Sequence, residues 1–284
     1  MTTDACLPSG WPKDRPLAIS VSVMLEGWAD DAAPGIGPMG NPLKSGVLDR
    51  QARSWAEYGP KVGAWRLLGI LAEQKARAVF YVSGIVAERH GELMRAIGNA
   101  GHVVAAHGWS QHLIPAYQSD DEESRDLKRC VSVLEQSSGK RVAGWLSPRC
   151  TPSARTSGLL AEAGFDWHAD FFDDDLPSRR DTGSGPIIAV PFTMEVNDMP
   201  LYVRYGSEPE AFTRTFERIV SHWPQLGRRP GCLDITVHAH VFGRPMGAIE
   251  FAKSLEVARR YGARSWLTDH CALAELYRNE PVTP

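Results

Sequence analysis

The sequence of 284 residues is poor in cysteine, and its few cysteines form no recognisable pattern. They lie far apart, and none belongs to a Cys-x-x-Cys pair. A disulfide framework or a structural zinc site needs paired cysteines, so both are disfavoured. We predict that most of these residues are small, buried and apolar. The cysteines are Cys6, Cys130, Cys150, Cys232 and Cys271.

The sequence also lacks a surplus of positive charge and any long apolar run. Lysine and arginine number 31 against 34 acidic residues, a formal net charge of −3, so nucleic acid is not an expected partner. No apolar run reaches the roughly 18 residues that a membrane span needs. Residues 1–12 lack the basic start and apolar stretch of a signal peptide, which predicts a cytoplasmic protein. With 43% hydrophobic and 23% charged residues, the composition is typical of a globular chain.

Segments typical of strands alternate with segments typical of helices along the whole chain. This alternation predicts an α/β fold with parallel strands and right-handed crossovers. One barrel-like domain over residues 1–284, with its core at about 17–274, is the economical architecture, although an open doubly wound sheet gives a similar pattern. Residues 28–60, rich in Gly, Pro and Asp, predict a long loop or lid. Strands are predicted at 17–24, 76–82, 102–106, 142–146, 166–169, 187–191, 232–237 and 264–267, and helices at 62–73, 87–100, 120–137, 153–163, 208–222 and 248–261, before a closing helix.

Reactive side chains follow the predicted strands at the point where each strand ends. Glu26 follows the first strand, His107 the third, and His238 a strand late in the chain. In a parallel barrel the carboxyl ends of the strands meet at one rim, where active sites form. Arg149 and Asp170 also follow strands. We therefore expect these five side chains to converge on one cleft.

The chemistry that these residues allow is water attack on a carbonyl group. A carboxylate and a histidine across a cleft suit general base and general acid catalysis. Two histidines and a carboxylate also suit a zinc-type site that activates water. The sequence has no Gly-x-Ser-x-Gly elbow and no glycine-rich phosphate loop, which disfavours a serine hydrolase, a kinase and a dinucleotide enzyme.

Several segments resemble the polysaccharide deacetylase superfamily, the carbohydrate esterases with nodulation-type deacetylase homology. The resemblance runs from about Leu17 to Ala274, and part of it is closer to a branch of deacetylase-related allantoinases, cyclic imide hydrolases and peptidoglycan-deacetylase-like proteins. It implies a distorted (β/α)₇ barrel, hydrolysis of a non-peptide C–N bond and a homo-oligomer, dimer or tetramer. The segments are the strand ending in Glu26, 57–66, 80–84, 101–108, 144–149, 174–177, 197–198 and 238–245.

Two motifs depart from the pattern of this superfamily. Its first motif has two adjacent Asp, one a base and one a metal ligand, where this chain has only Glu26. Its second motif has two His four residues apart, where this chain has His107 and Gln111, with His112 one position later. The resemblance implies a divalent metal, with zinc the first choice, held by Glu26, His107 and His112. The alternative is that no ion is bound.

The resemblance and the strand-end positions together suggest roles for the remaining candidates. Glu26 activates water, and His238 donates a proton to the departing nitrogen. Arg149 stabilises the oxyanion, an interaction worth roughly 3–4 kcal/mol in other enzymes, and Asp170 or Asp174 orients a histidine. The candidate substrate-binding residues are Trp28, Trp109, Asp174, Asp175 and His240.

The expected substrate is a small amide, imide or ureide. An enzyme that acts on cell-wall polymer is normally exported, whereas this sequence shows no export signal, and a lid over residues 28–60 suits a small molecule. Two alternatives stay open: a carbohydrate or peptidoglycan N-deacetylase, and a non-catalytic barrel that binds a ligand.

Overall fold

The computed structural model describes residues 7–30, 32–33, 43–44, 47–226 and 230–283. Within them, one sheet of ten strands has the order β10-β6-β7-β5-β4-β3-β2-β1-β8, and β9 also pairs with β1. The pairs are parallel except for β6 with β7. The strands are β1 Leu17–Leu25, β2 Val79–Val82, β3 Val103–Ala106, β4 Gly144–Trp145, β5 Trp167–Phe171, β6 Ser178–Asp181, β7 Pro186–Pro191, β8 Gly231–His238, β9 Ser265–Leu267 and β10 Val282–Thr283.

Helices cover the outside of the sheet, and the fold is the predicted distorted (β/α) barrel. The α-helices are α1 Arg50–Tyr58, α2 Ala64–Glu73, α3 Gly84–Arg89, α4 Gly91–Asn99, α5 Asp120–Ser138, α6 Thr156–Glu162, α7 Glu210–His222, α8 Pro245–Arg260 and α9 His270–Tyr277. Two π-helical segments, Gly59–Gly63 and Met199–Arg204, and short 3₁₀ turns at Pro115–Tyr117, Pro148–Cys150 and Trp223–Gln225 complete the elements. None of the helices in the described part is long and apolar enough to cross a membrane.

The central strand β1 contributes to two separate cores because successive side chains of a strand point to opposite faces. Its odd-numbered residues, such as Ile19 and Val23, pack into the larger core between the sheet and the helices. Ala18 and Met24 pack into the smaller core inside the barrel, where Tyr81 and Trp167 lie. All nine residues of β1 are buried, which is typical of a strand covered on both faces.

The barrel interior also holds a buried polar network that joins β1, β2 and β8 to α9. His270 Nδ1 lies 2.5 Å from Tyr81 Oη, and its Nε2 lies 3.0 Å from Ser20 Oγ and 3.3 Å from Asp234 Oδ1. Burial raises the pKa of Asp234, but hydrogen bonds from His270, Ser20 and Thr236 outweigh it, so the pKa lies below its usual value. Serine and aspartate meet the same ring nitrogen, so this is a structural network and not a nucleophilic triad.

The structure differs from the predicted elements at three places. Residues 50–58 form helix α1 within the predicted loop 28–60, because Asp49 Oδ1 accepts hydrogen bonds from Gln51 N at 3.0 Å and Ala52 N at 2.9 Å. Residues 31, 34–42 and 45–46 of that loop lie outside the described residues. The helix predicted at 87–100 is two helices, α3 and α4, which meet at His90 with φ −130°. The antiparallel hairpin β6–β7 was not predicted, since Arg and Asp in β6 give no apolar alternation.

Candidate active site

The carboxyl ends of β1, β3 and β8 bring one carboxylate among three imidazoles. The register pairs Met24 of β1 with His238 of β8, so Glu26 projects beside the end of β8. Glu26 Oε1 lies 3.5 Å from His107 Nε2 and 3.8 Å from His238 Nε2. Glu26 Oε2 lies 3.8 Å from His240 Nε2. The structure thus places three strand-end residues predicted from the sequence, with His240, in one cluster.

Glu26 is a charged group in a nearly closed environment, with 9% of its surface exposed. Burial raises the pKa of its carboxyl group, but His238, His107 and His240 together lower it to about 2. The carboxylate is therefore ionised at neutral pH, and nearby imidazoles stabilise its charge.

His238 is held by a buried aspartate that the sequence analysis did not assign. Asp198 Oδ1 lies 2.6 Å from His238 Nδ1, and Asp198 Oδ2 accepts a hydrogen bond from His238 N at 2.8 Å. The carboxylate accepts, so Nδ1 carries a proton and Nε2 points toward Glu26. Burial lowers the pKa of His238, but Asp198 and Glu26 raise it above its ordinary value. Charged His238 beside ionised Glu26 is a proton donor beside a proton acceptor.

The other two imidazoles present unpaired nitrogen atoms to the same space. His107 Nδ1 lies 2.7 Å from Leu146 O, so Nδ1 donates, and His107 Nε2 faces Glu26 Oε1 at 3.5 Å. His240 packs edge-on against Trp28 and Trp55, with ring centroids 5.5 and 4.3 Å apart. Burial lowers the pKa of His240 to about 3, so its ring is neutral. Neither His107 Nε2 nor either ring nitrogen of His240 has a hydrogen-bond partner among the described residues, which leaves these nitrogens open to a water molecule or a substrate.

The predicted metal site of Glu26, His107 and His112 is not assembled. Gln111 N donates to Gly27 O at 2.9 Å, and the Gln111 side chain is buried, with Nε2 2.8 Å from His107 O. With Gln111 directed inward, the next residue points outward: His112 is exposed, and its Nδ1 lies 2.8 Å from Ser110 Oγ. No group of three or more His, Cys, Asp or Glu in the described ranges is arranged to hold a metal ion. His112 therefore does not stand beside Glu26 and His107 as a third ligand for the divalent ion that the resemblance implies.

Arg149 and Asp170 stand at the same end of the barrel, but their roles differ from those predicted. Arg149 is exposed, its backbone is left-handed with φ 56°, and its side chain has no hydrogen bond or ion pair to another described residue. Asp170 accepts hydrogen bonds from Ser147 N and Ser147 Oγ, both at 2.8 Å, and lies 3.3 Å from His168 Nδ1. Asp170 therefore holds the end of β4 and His168 in place. The aspartate that orients His238 of the site is Asp198.

Three of the candidate substrate-binding residues lie away from the cluster. Trp109 packs against Gly84, with the Arg129 guanidinium 3.4 Å from its ring centre, in the helical layer. Asp175 O accepts a hydrogen bond from Cys232 N at the start of β8, and Asp174 precedes it. Six residue steps of about 3.3 Å separate Cys232 from His238, so these two aspartates lie roughly 20 Å from the site. Trp109, Asp174 and Asp175 therefore lie away from the cluster, whereas His240 belongs to it and Trp28 lies against His240.

A cavity that opens to solvent adjoins the cluster at Glu26. Its walls are largely apolar, and its outer part carries charged side chains. The lining residues are Glu26, Gly27, Trp28, Ala29, Asp30, Ala33, Arg53, Ala56, Glu57, Pro60, Ile85, Val86, Arg89 and His90.

Comparison with known proteins agrees with the resemblance found in the sequence. The family model described as polysaccharide deacetylase matches residues 56–168, and a peptidoglycan deacetylase of Helicobacter pylori is 22% identical over 242 residues, 74% of this chain and 82% of that protein. Residues 56–168 thus carry the sequence pattern of polysaccharide deacetylases, and over most of its length the chain is similar to proteins of that superfamily. Among solved structures, the chain is similar to Puue allantoinase, with a TM-score of 0.85 and 24% identity over 97% of this chain and 95% of the other.

Proposed function

We propose that this protein is a hydrolase of non-peptide C–N bonds in a small amide, imide or ureide. The observation that carries the proposal is the buried pair of Glu26 and charged His238, 3.8 Å apart, with His238 clamped by Asp198. The sequence pattern of polysaccharide deacetylases and the similarity to an allantoinase support the same bond type.

In the proposed reaction, side chains of the chain itself move the protons. Glu26 takes a proton from water as the oxygen attacks the carbonyl carbon. His238 gives its Nε2 proton to the departing nitrogen, so the C–N bond breaks and leaves a carboxylic acid and an amine or amide. When His238 gives up its proton it loses its positive charge, and that charge is the strongest influence that lowers the pKa of Glu26. The pKa of Glu26 then rises, which favours transfer of the proton of water to its carboxylate.

The burial of the site favours a small substrate over a polymer. The side chains of Glu26 and His238 are 10% and 7% exposed, and Trp28 and Trp55 pack over His240. An extended glycan needs an open groove across the reacting groups.

The family description and the H. pylori relative support an alternative function, that of a carbohydrate N-deacetylase. The pairing of Glu26 with His238, which Asp198 orients, is the arrangement of a catalytic site and argues against a non-catalytic barrel.

The pH dependence of the reaction is expected to show a falling limb at high pH. His238 must be protonated to donate, and Asp198 and Glu26 raise its pKa above 6.5, so kcat/KM falls as pH rises through that higher value. Glu26, with a pKa of about 2, adds no limb in the neutral and mildly acidic range. The measurement is kcat/KM from mildly acidic to basic pH. A rate that rises with pH through the neutral range would show that His238 acts as a base.

A substrate panel with a chelator tests the proposed function. The panel contains a cyclic imide, a ureide such as allantoin, a simple N-acetyl amine and an oligomer of N-acetylglucosamine, each assayed before and after dialysis against the chelator. We expect turnover of a small substrate that survives dialysis, and none of the oligomer. Turnover of the oligomer alone would favour the carbohydrate deacetylase, and loss of all turnover on dialysis would contradict the assignment of the chemistry to these side chains.

A further inference from the structure

Two arginines from different helices share one carboxylate at the wall of the cavity beside Glu26. Arg53 of α1 has Nη2 3.5 Å from Asp30 Oδ2, and Arg89 of α3 has Nη1 3.2 Å from Asp30 Oδ1. Both side chains are a little over two-fifths exposed, and that of Asp30 is half exposed. All three residues line the cavity. We call Arg53 and Arg89 the arginine fork.

The fork has the shape and charge that suit a carboxylate. Guanidinium groups present planar donors that match the two oxygens of a carboxylate, and such charge-assisted hydrogen bonds are among the stronger ones in proteins. Asp30, which follows shortly after Trp28 in the chain, already occupies this position, because each of its carboxylate oxygens pairs with one of the two arginines. Glu57 also holds Arg53, with 3.1 Å between Glu57 Oε1 and Arg53 Nε. The chain thus supplies a carboxylate of its own at a point that an outside ligand could reach.

The charges along the cavity give a ligand one orientation. Glu26 is negative at the inner end, and it repels an anionic group placed beside it. At the outer end the two arginines face Glu57 and Asp30, and Glu57 also pairs with Lys61, so positive charge prevails there when Asp30 leaves. A substrate with an amide and a carboxylate would place its carbonyl carbon near Glu26 and its carboxylate at the arginine fork.

We propose that the arginine fork binds a carboxylate group of the substrate, that Asp30 occupies the fork when no substrate is bound, and that the substrate is a small amide bearing a carboxylate. This inference rests on the proposed hydrolase function for the identity of the reacting bond. Binding exchanges one carboxylate for another, and Asp30 swings outward, where its half-exposed side chain is hydrated. Asp30 is then a competitor of the substrate, and its removal strengthens binding.

The test uses two probes of the same skeleton, N-acetyl-β-alanine and its neutral methyl ester. Their affinities are measured by calorimetry at low salt, because half-exposed ion pairs are screened by ions. The protein carries Glu26→Gln so that the probes are not consumed. Arg89→Gln and Arg53→Gln are each expected to weaken binding of the acid about tenfold or more. Asp30→Asn is expected to tighten it about threefold or more, since the binding-competent fraction rises.

Matched controls separate recognition from a general change of structure. Arg155→Gln breaks a comparable exposed ion pair with Asp120, which does not line the cavity, and is expected to change neither affinity. The methyl ester is expected to bind equally well to all variants. N-acetylglycine and N-acetyl-4-aminobutyrate, shorter and longer acids, give the preferred distance between amide and carboxylate.

The outcomes distinguish this inference from the proposed function. Opposite changes for Arg89→Gln and Asp30→Asn, seen with the acid only, support the arginine fork even if the substrate panel shows no turnover. The inference is overturned if Asp30→Asn weakens or leaves unchanged the binding of the acid, or if the arginine variants weaken acid and ester equally. In those cases Asp30 only ties α1 to α3, and turnover of neutral amides would still support the hydrolase.

Discussion

Replacing Glu26 with Gln is expected to lower kcat for any substrate of the panel by about 10²- to 10⁴-fold. The amide of Gln has nearly the shape of the carboxylate but cannot accept a proton from water. It also removes the negative charge beside His238, which supports the raised pKa of that imidazole. The falling limb of the pH profile is therefore expected to move to lower pH in any residual activity.

The control for this variant is Glu195→Gln, which changes an exposed glutamate after β7 in the same way. Its kcat is expected to equal that of the unaltered chain. Circular dichroism should show that both variants are folded, because Gln fills the volume of Glu. Full turnover by Glu26→Gln would remove Glu26 from the reaction, whatever the metal content.

Replacing Asp198 with Asn is expected to lower kcat by about 10²- to 10⁴-fold with little change in KM. Asp198 accepts hydrogen bonds from His238 N at 2.8 Å, from His238 Nδ1 at 2.6 Å and from Phe242 N at 3.3 Å. Asparagine has only one oxygen, and its NH₂ group meets a donor or forces His238 into the other tautomer. His238 then no longer presents a proton on Nε2 toward Glu26, and loss of the Asp198 charge lowers its pKa.

The matched control is Asp170→Asn, which also removes a buried carboxylate beside a histidine. Asp170 contacts His168 and Ser147, and not a histidine of the site. The Asp170→Asn substitution is expected to lower the stability of the fold more than it lowers kcat. Unfolding by denaturant measures the stability, and steady-state kinetics measure kcat. The assignment of Asp198 fails if Asp170→Asn lowers kcat as far, or if Asp198→Asn leaves the pH profile where it was.

The residues that the sequence located are those that follow regular, buried strands. Glu26 and His238 come directly after apolar runs, and parallel pairing places the ends of such runs side by side. His107 follows β3 for the same reason. Strand periodicity is a local signal, so the parallel α/β sheet and its reactive end could be predicted without any alignment. The choice of a barrel over an open sheet came from the resemblance to a family.

The residues that the sequence missed or misplaced depend on contacts between distant segments. Asp198 follows an irregular stretch that pairs with β8 through an isolated bridge between Asn197 and Thr236, and its partner His238 is 40 residues away. His112 is misplaced because the backbone of Gln111 bonds to Gly27, which no spacing rule shows. Asp174 and Asp175 follow β5 in the chain but turn back to the other end of the barrel. The homo-oligomer and the cytoplasmic location stay predictions.

The position of β1 within the sheet affects how the protein folds while it is being synthesised. β1 is made first, yet its hydrogen-bonded neighbour β8 comes much later, with 214 residues between Ser20 and its partner Asp234. Such a high contact order slows folding. Until β8 emerges from the ribosome, the nascent chain carries an apolar strand with one open edge, which is prone to aggregate. We therefore expect the amino-terminal half of this barrel to be prone to aggregation until its last third is synthesised.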